Sequence, residues 1–401
     1  MTRAVNVAQR RARLVARHHL AVPAESVTAA AEGVIALHAT DPLTVYMSAW
    51  ARTGCAPGDV ETAVYETREL VRMLGMRRTM FVLPAPLVPV VQRACTDDVA
   101  RRMRRGLERD LERMGGIADA AAWLRDVERG VAAALAARGS ASGAELSEDE
   151  PRLRTQLLYA PDKSYGGPAN ITSRVLMLMS ADGLTVRGRP RGGWSSGQFT
   201  YHPASSWLGA AADRGVPAGG GGGLELDAAA ARAELARRWL LAFGPAPVSD
   251  LRWWAGWTGV QTKAALAALP VIDVDLDGCP GVLLADDDIP AGEPAPVAAL
   301  LPGLDPTPMG WQQRDWFLGP HGPALFDRTG NIGPSVWWAG RIIGGWAQRA
   351  SGEIVCRLLE DAGSEAAAAA EAQADRLSSW LGSARVTPRF RSPLERELSA
   401  P

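Results

Sequence analysis

Three times along this chain a run of helix-patterned residues passes through a glycine turn into short strand-like segments, and that recurrence restricts the fold more than any other feature. In the first, Gly75 of GMRRTMFVLP ends a helical stretch that Asp59 is placed to cap and that extends through about Met73. Thr79 to Leu83 then carries the residue types that strands favour. In the second, Thr172 to Met179 reads as an amphipathic helix stopped by Asp182-Gly183, and Leu184 to Arg187 pairs with Gln198 to Tyr201 around the tip RGRPRGG. In the third, LLAFGPAPVSDLRWWAGWTGVQTKAALAAL reads as helix, Gly-Pro turn, Ser249-capped helix, glycine turn and Thr262-started helix, and PVIDVDLDGCPGVLLADDD supplies a strand pair. Helices followed by a hairpin outline a winged helix, so the pattern predicts three tandem winged-helix units.

The flanking segments complete an α+β chain. Thr2 to Leu20 interleaves charged and apolar residues at helical spacing, and Ser26 caps a second helix over Val27 to Val34. DDVARRMRRGLERDLERMGG brings Arg101, Arg104, Arg105 and Arg109 near one helical face, either a solvated, self-paired helix or one that faces phosphates. Ala120 to Arg138 and a segment started by Ser142 are helical, and the AGGGGG run from Ala218 to Gly223 is a flexible linker. From Leu301 the runs ALFDRTG, SVWWAGRIIGGWAQR and EIVCRLLED predict a small C-terminal β-barrel or twisted sheet, closed by an alanine-rich helix over Ser364 to Leu381, with fraying after about Arg391. The expected domains are 1–116, 117–217, 224–290 and 291–392.

A chain of 401 residues exceeds what one core usually supports. No apolar run reaches the length of a membrane span, and the basic N-terminus lacks an apolar signal core, so a cytoplasmic protein is expected. Cys55, Cys95, Cys279 and Cys356 lie far apart without paired spacing, which supports neither a zinc site nor a disulfide framework; no metal is expected. The net charge of -1 averages over domains and leaves room for basic patches.

One segment asks for a chemical explanation. In VIALHATDP an apolar run ends in His38, Thr40 and Asp41, and Pro42 pushes Asp41 out of the helical region, so the chain shows these side chains to a surface or cleft. The structural alternative makes His38 a satisfied buried histidine, Asp41 a cap and Thr40 packing.

LHATDP, MRRTMFVLP, YHPASSWLG, LLAFGPAPVSDLRWWAG, LPGLDPTPMGWQQRDW and DRTGNIGPSVWWAGRIIGGWAQR together span nearly the whole chain. In these segments the sequence resembles the bacterial winged-helix DNA glycosylases, the AlkZ/YcaQ-like family of alkylpurine and interstrand-crosslink glycosylases. The resemblance implies three winged-helix units and a β-barrel in a C-shape around DNA, and hydrolysis of the N-glycosidic bond of an alkylated purine. The family's catalytic pair is Gln-x-Gln or Gln-x-Asp, where this chain carries His38-Ala39-Thr40.

An N7- or N3-alkylated purine is already cationic, so the difficult species is an oxocarbenium-like sugar awaiting water. His38 is expected to take a proton from that water, Thr40 to fix it and Asp41 to stabilise the sugar's charge. Lys163 and Lys263 are the only lysines and neither belongs to the candidate segment, so no Schiff-base chemistry is expected and the enzyme reads as monofunctional, without a cofactor. Arg77, Arg78, Arg187, Arg189 and Arg191, at turns or wing tips with nothing in the local sequence to neutralise them, are the phosphate candidates. Trp253, Trp254 and Trp257 read as core. Gln313 and Arg314 become DNA contacts through the barrel that the family places beside the lesion. The partner is double-stranded DNA containing alkylated purines, met by a monomer at the nucleoid, in base excision repair or in self-resistance accompanying antibiotic biosynthesis. The rival reading is a non-catalytic winged-helix DNA-binding protein such as a transcriptional regulator, which the lack of an evident dimerisation helix or sensing domain disfavours.

Overall fold

In the computed structural model, which describes residues 3–159, 166–212, 226–288 and 292–400, three segments repeat one order of helix, short strand, helix, helix and hairpin. The glycine linker and Lys163 lie outside the described residues. After strand β1 (Arg3–Ala4) and helix α1 (Val7–Arg17), the first segment comprises α2 (Val27–Gly33), β2 (Leu37–His38), α3 (Pro42–Thr53), α4 (Pro57–Glu61), β3 (Leu70–Leu74) and β4 (Met80–Pro84). Its sheet runs β2-β4-β3. Ser26 caps α2 by accepting from Ala29 N at 3.0 Å. Asp41 caps α3, whose first residue is Pro42, and left-handed Gly54 ends it.

The helix expected through Met73 stops at Glu61 and passes through a π-turn at Thr62–Glu66 before β3. All five residues of Leu70–Leu74 are buried and pair antiparallel with β4, so burial on both faces of a sheet overrides the helical spacing. Asp59 sits within α4 and accepts from Ala56 N at 2.8 Å.

After α5 (Val88–Val91) comes α6 (Asp97–Arg113), which leads from the first segment into the second. Val99 and Ala100 belong to the core around β3 and β4, whereas Leu107 and Leu111 belong to the separate core of the second segment. That segment comprises α7 (Ala120–Arg138), β5 (Ala141–Ser142), α8 (Gly143–Asp149), an inserted hairpin β6 (Gln156–Tyr159) and β7 (Gly167–Asn170), α9 (Thr172–Ala181), β8 (Thr185–Arg191) and β9 (Gln198–Pro203). Its sheet runs β5-β9-β8, the same order as the first. The β8–β9 tip is docked: Trp194 lies between Tyr46 of α3, ring centroids 5.0 Å apart, and Trp380 at 5.8 Å.

Helix α10 (Ala204–Ala212) precedes the third segment of α11 (Ala228–Phe243), α12 (Val248–Ala255), α13 (Gly259–Ala267), β10 (Val271–Leu276) and β11 (Cys279–Leu284). Ala246 bridges Val282 where the other segments have their short strand, and β1 pairs with the far edge of β10. Pro247, rather than Ser249, precedes α12, and Thr258 caps α13 ahead of Thr262. Trp254 and Trp257 are buried as expected, whereas Trp253 remains half-buried.

The C-terminal part contains β12 (Ala298–Leu301), α14 (Pro306–Met309), α15 (Asp315–Leu318), α16 (Gly322–Leu325), β13 (Ser335–Trp338), β14 (Arg341–Gln348), β15 (Ile354–Leu358), α17 (Ser364–Leu381) and α18 (Pro393–Leu398). Its strands form an open sheet in the order β12-β13-β14-β15, so of the expected barrel or twisted sheet the structure has the sheet. Helix α17 covers one face instead: Ala366, Ala370 and Ala374, four apart, share a core with Leu300, Val336, Ile343 and Trp346. ALFDRTG contains the end of α16 and Phe326, which makes a single bridge to Ile332, rather than a strand. The residues beyond Arg391 form α18, with Leu394 and Leu398 buried, so this end is packed rather than frayed.

A buried ion pair ties the C-terminal part to α3. Arg52 donates to Asp305 at 2.7 and 2.9 Å and to Thr307 Oγ1 at 2.7 Å, and Ser48 donates to Asp305 at 2.6 Å. Both charged side chains are fully buried, so each needs the other to remain ionised at acceptable cost.

Candidate active site

The His38–Asp41 stretch is held from several directions. His38 pairs with Phe81 across β2 and β4, and Ala39 N donates to Met80 O at 2.8 Å. Arg72 Nη1 donates to Ala39 O at 3.0 Å, and Arg389 Nη1 donates to Thr40 O at 3.4 Å. Thr40 is half-buried. Both oxygens of Asp41 receive backbone N–H groups, Oδ1 from Leu43 at 3.1 Å and Oδ2 from Arg389 at 2.8 Å. Burial raises the Asp41 pKa against the lowering effect of these two hydrogen bonds. Asp41 therefore joins the start of α3 to the C-terminal segment.

His38 is only 5 % exposed, its ring edge-on to Phe81 at 5.4 Å, and its Nδ1 has no hydrogen-bond partner. Burial first, then the Arg77 charge, push the imidazole pKa down to about 3, with Asp305 opposing weakly. The imidazole is neutral throughout the physiological range. A neutral ring with an unoccupied nitrogen can accept a hydrogen bond or, in the other tautomer, donate one. It is a poor base near neutral pH, contrary to the proton-accepting role expected from an ordinary histidine pKa.

Arg77 and Arg78 both adopt left-handed φ, 53° and 60°, in the turn between β3 and β4. The Arg77 guanidinium lies 3.8 Å from the Trp253 ring centroid, and the Arg314 guanidinium lies 5.0 Å from it, so α12, the first hairpin and the C-terminal part meet at Trp253. Burial lowers the pKa of each arginine to about 10. Gln313 N donates to Asp250 Oδ1 at 3.0 Å and its side-chain amide to Ser249 at 3.3 Å. Arg78 is exposed.

The second hairpin differs from expectation. Arg189 pairs with Glu61 at 2.6 Å and Glu66 at 2.9 Å, and Arg191 with Glu145 at 2.8 Å, so acids distant in sequence neutralise both. Arg187 is half-buried, 5.7 and 5.9 Å from the rings of Phe199 and Tyr201. Of the four arginines singled out on α6, Arg101 pairs with Asp98 and Arg104 with Glu128 and Asp182, whereas Arg105 and Arg109 have no ion-pair partner among the described residues.

A cavity of about 770 Å³, lined by Arg78, Arg102, Tyr159, Asn170, Arg174 and Arg389 among apolar side chains, is linked to the His38–Asp41 stretch through Arg389. Arg72 and Arg389, the two arginines that hold the His38–Thr40 backbone, were not found in the sequence. Arg72 sits inside an apolar strand, and Arg389 is distant along the chain, so no local spacing marks either.

Residues 31–380 match the family model DNA glycosylase AlkZ-like. The class is that of DNA glycosylases, enzymes that act on DNA. The chain belongs to the AlkZ-like DNA glycosylase family. Its structure is similar to that of Streptomyces sahachiroi DNA glycosylase AlkZ, with a TM-score of 0.72 at 20 % identity, over 97 % of this chain and 100 % of that one. No curated protein matches the sequence. No helix among the described residues is long and apolar enough to cross a membrane.

Proposed function

We propose that the protein is a monofunctional glycosylase that hydrolyses the N-glycosidic bond of an N7- or N3-alkylated purine in double-stranded DNA, in base excision repair or self-resistance. The observation that carries the reading is His38, a buried neutral imidazole with an unpartnered Nδ1, two residues before half-buried Thr40 on a backbone pinned from both sides. In this reading His38 holds the attacking water through a hydrogen bond and Thr40 orients it. Asp41 is a positioning residue, because both of its oxygens already serve the loop. An alkylated base is a good leaving group and needs little protonation, so water placement beside the developing sugar cation is the main task left to the protein.

The recurring segments support three winged-helix units, with domains at 1–116, 117–217, 224–290 and 291–392, arranged in a C around the duplex. Arg78, exposed on the cavity wall, is the favoured phosphate contact among the hairpin arginines, with Arg187 secondary. Arg77, Gln313 and Arg314 act from behind the surface, by fixing the walls around Trp253. Lys263, the lysine among the described residues, is exposed on α13, which supports hydrolysis over Schiff-base chemistry. A monomer working at the nucleoid completes the reading.

The test is incubation of the purified protein with duplex DNA carrying a defined N7-alkylguanine, followed by alkaline cleavage at abasic sites. Release above the spontaneous rate is the expected result. No release from any member of a panel running from methyl to large intercalating adducts would overturn the reading.

A further inference from the structure

The arginines that the fold leaves unpaired on α6 lie on one face. At 100° per residue, Arg102, Arg105, Arg109 and Arg113 fall within a stripe roughly 80° wide, opposite the buried Leu107 and Leu111. All four are exposed, and none has an ion-pair partner among the described residues. The acids of this helix are largely committed elsewhere or flank the stripe. Asp98 pairs with Arg101 and Arg232, Asp97 with Arg93 and Asp110 with Arg174, while Glu108 and Glu112 lie beside it. The arginines on the other sides of the helix, Arg101 and Arg104, are the neutralised ones.

We propose that this face of α6 is a track for the DNA backbone that leads the duplex to the His38–Thr40 loop. Its end at Arg102 is continuous with the cavity wall, where Arg78 and Arg389 follow, and Arg389 is bonded to the loop itself through Thr40 O and Asp41. At about 1.5 Å per residue the stripe extends over roughly 16 Å. B-DNA places one phosphate per strand in about every 3.4 Å of axis, so the stripe faces several consecutive phosphates of a duplex. Four flexible guanidiniums one helical turn apart carry no base-reading geometry, so the track binds any sequence and any lesion alike. The proposal rests on the DNA-glycosylase reading for its ligand and adds where the duplex lies.

The experiment uses an undamaged 20-base-pair duplex and binding isotherms across a salt series for the full chain. Arg102→Gln, Arg105→Gln, Arg109→Gln and Arg113→Gln are combined, with Arg189→Gln plus Arg191→Gln as the control that removes ion-paired arginines. The quadruple variant is expected to lose at least tenfold in affinity at low salt and to flatten the slope of log K against log salt by about 3.6, at roughly 0.9 for each of the four lost phosphate contacts. The control should keep the wild-type slope. If the quadruple variant, with its thermal midpoint intact, keeps the wild-type slope, the track is refuted. Arg105→Gln plus Arg109→Gln, both exposed, provides a milder variant, and an unaltered slope there refutes the proposal too. A slope that flattens in a protein that releases no base from any adduct would support the track and sink the glycosylase reading, so the two fail separately.

Discussion

Replacing His38 separates water positioning from proton abstraction. With the imidazole pKa depressed to about 3 by burial and by Arg77, essentially all of the protein carries neutral His38 at any pH above 5. A histidine at its ordinary value of about 6.5 would be about one quarter neutral at pH 6 and about 3 % neutral at pH 5. The wild-type rate of base release from a stable adduct should therefore remain flat from pH 8 to pH 5, where a conventional histidine base would produce a roughly thirtyfold fall. His38→Ala should slow release by roughly 10²-fold, equivalent to about 2.7 kcal/mol in the barrier. His38→Asn, which retains a polar atom near the Nδ1 position, should recover part of the loss, with DNA affinity unchanged in both variants. Single-turnover release at saturating enzyme, run from pH 5 to pH 8.5, isolates the chemical step from binding. A wild-type acidic limb between pH 6 and 7 that disappears in His38→Asn would refute the burial argument and restore the imidazole as a base. Wild-type rates in folded His38→Ala would place the catalytic group elsewhere.

Other predictions concern the scaffold. Asp305→Ala leaves the Arg52 guanidinium buried without its counter-ion and should destabilise the fold by about 3–5 kcal/mol; a loss below 1 kcal/mol in urea unfolding would show that water reaches the pair. Burial holds the pKa values of His18 and His38 at about 3, below their unfolded value of 6.5, so the unfolded chain binds more protons between these limits. Their contribution is fully present above about pH 6.5 and is lost as pH falls toward 3. Denaturation midpoints measured from pH 7.5 to 4.5 test the sign, since stability that rises on acidification would contradict it. Asp41→Asn keeps an acceptor for Leu43 N but weakens the bond to Arg389 N, and should reduce base release about tenfold or less while leaving duplex affinity unaltered. A loss as large as that of His38→Ala would give Asp41 a direct electrostatic role.

Local signals in the sequence located the helices and turns that are decided within a few residues. Ser26 caps, Gly183 turns, and the helices Ala120–Arg138 and Ser364–Leu381 lie where their patterns put them, whereas α3, capped by Asp41 and begun by Pro42, is not among the expected helices. The hairpins at β8–β9 and β10–β11 and the strand β4 were legible for the same reason, since alternation and turn residues act over short distances, whereas β3 carries helical spacing and became a strand through its burial. The His38–Asp41 segment was visible because a proline and three polar residues interrupt an apolar run. What its side chains do was decided by contacts distant in sequence. Arg389 binds Asp41 across 348 positions and thereby turns a cap into a joint between α3 and the C-terminal segment. Arg77 and burial by the surrounding core make His38 neutral, and a pKa depends on the charges and solvent around a group in space. Glu61, Glu66 and Glu145 neutralise arginines on a hairpin whose own sequence contains no acid. The C-terminal strands read correctly as strands over Ser335–Trp338, Arg341–Gln348 and Ile354–Leu358, but the open sheet was set by α17 packing across them. A strand's own alternation specifies which face is buried; which neighbour covers that face, or whether the edges meet, is settled only when the whole chain is packed.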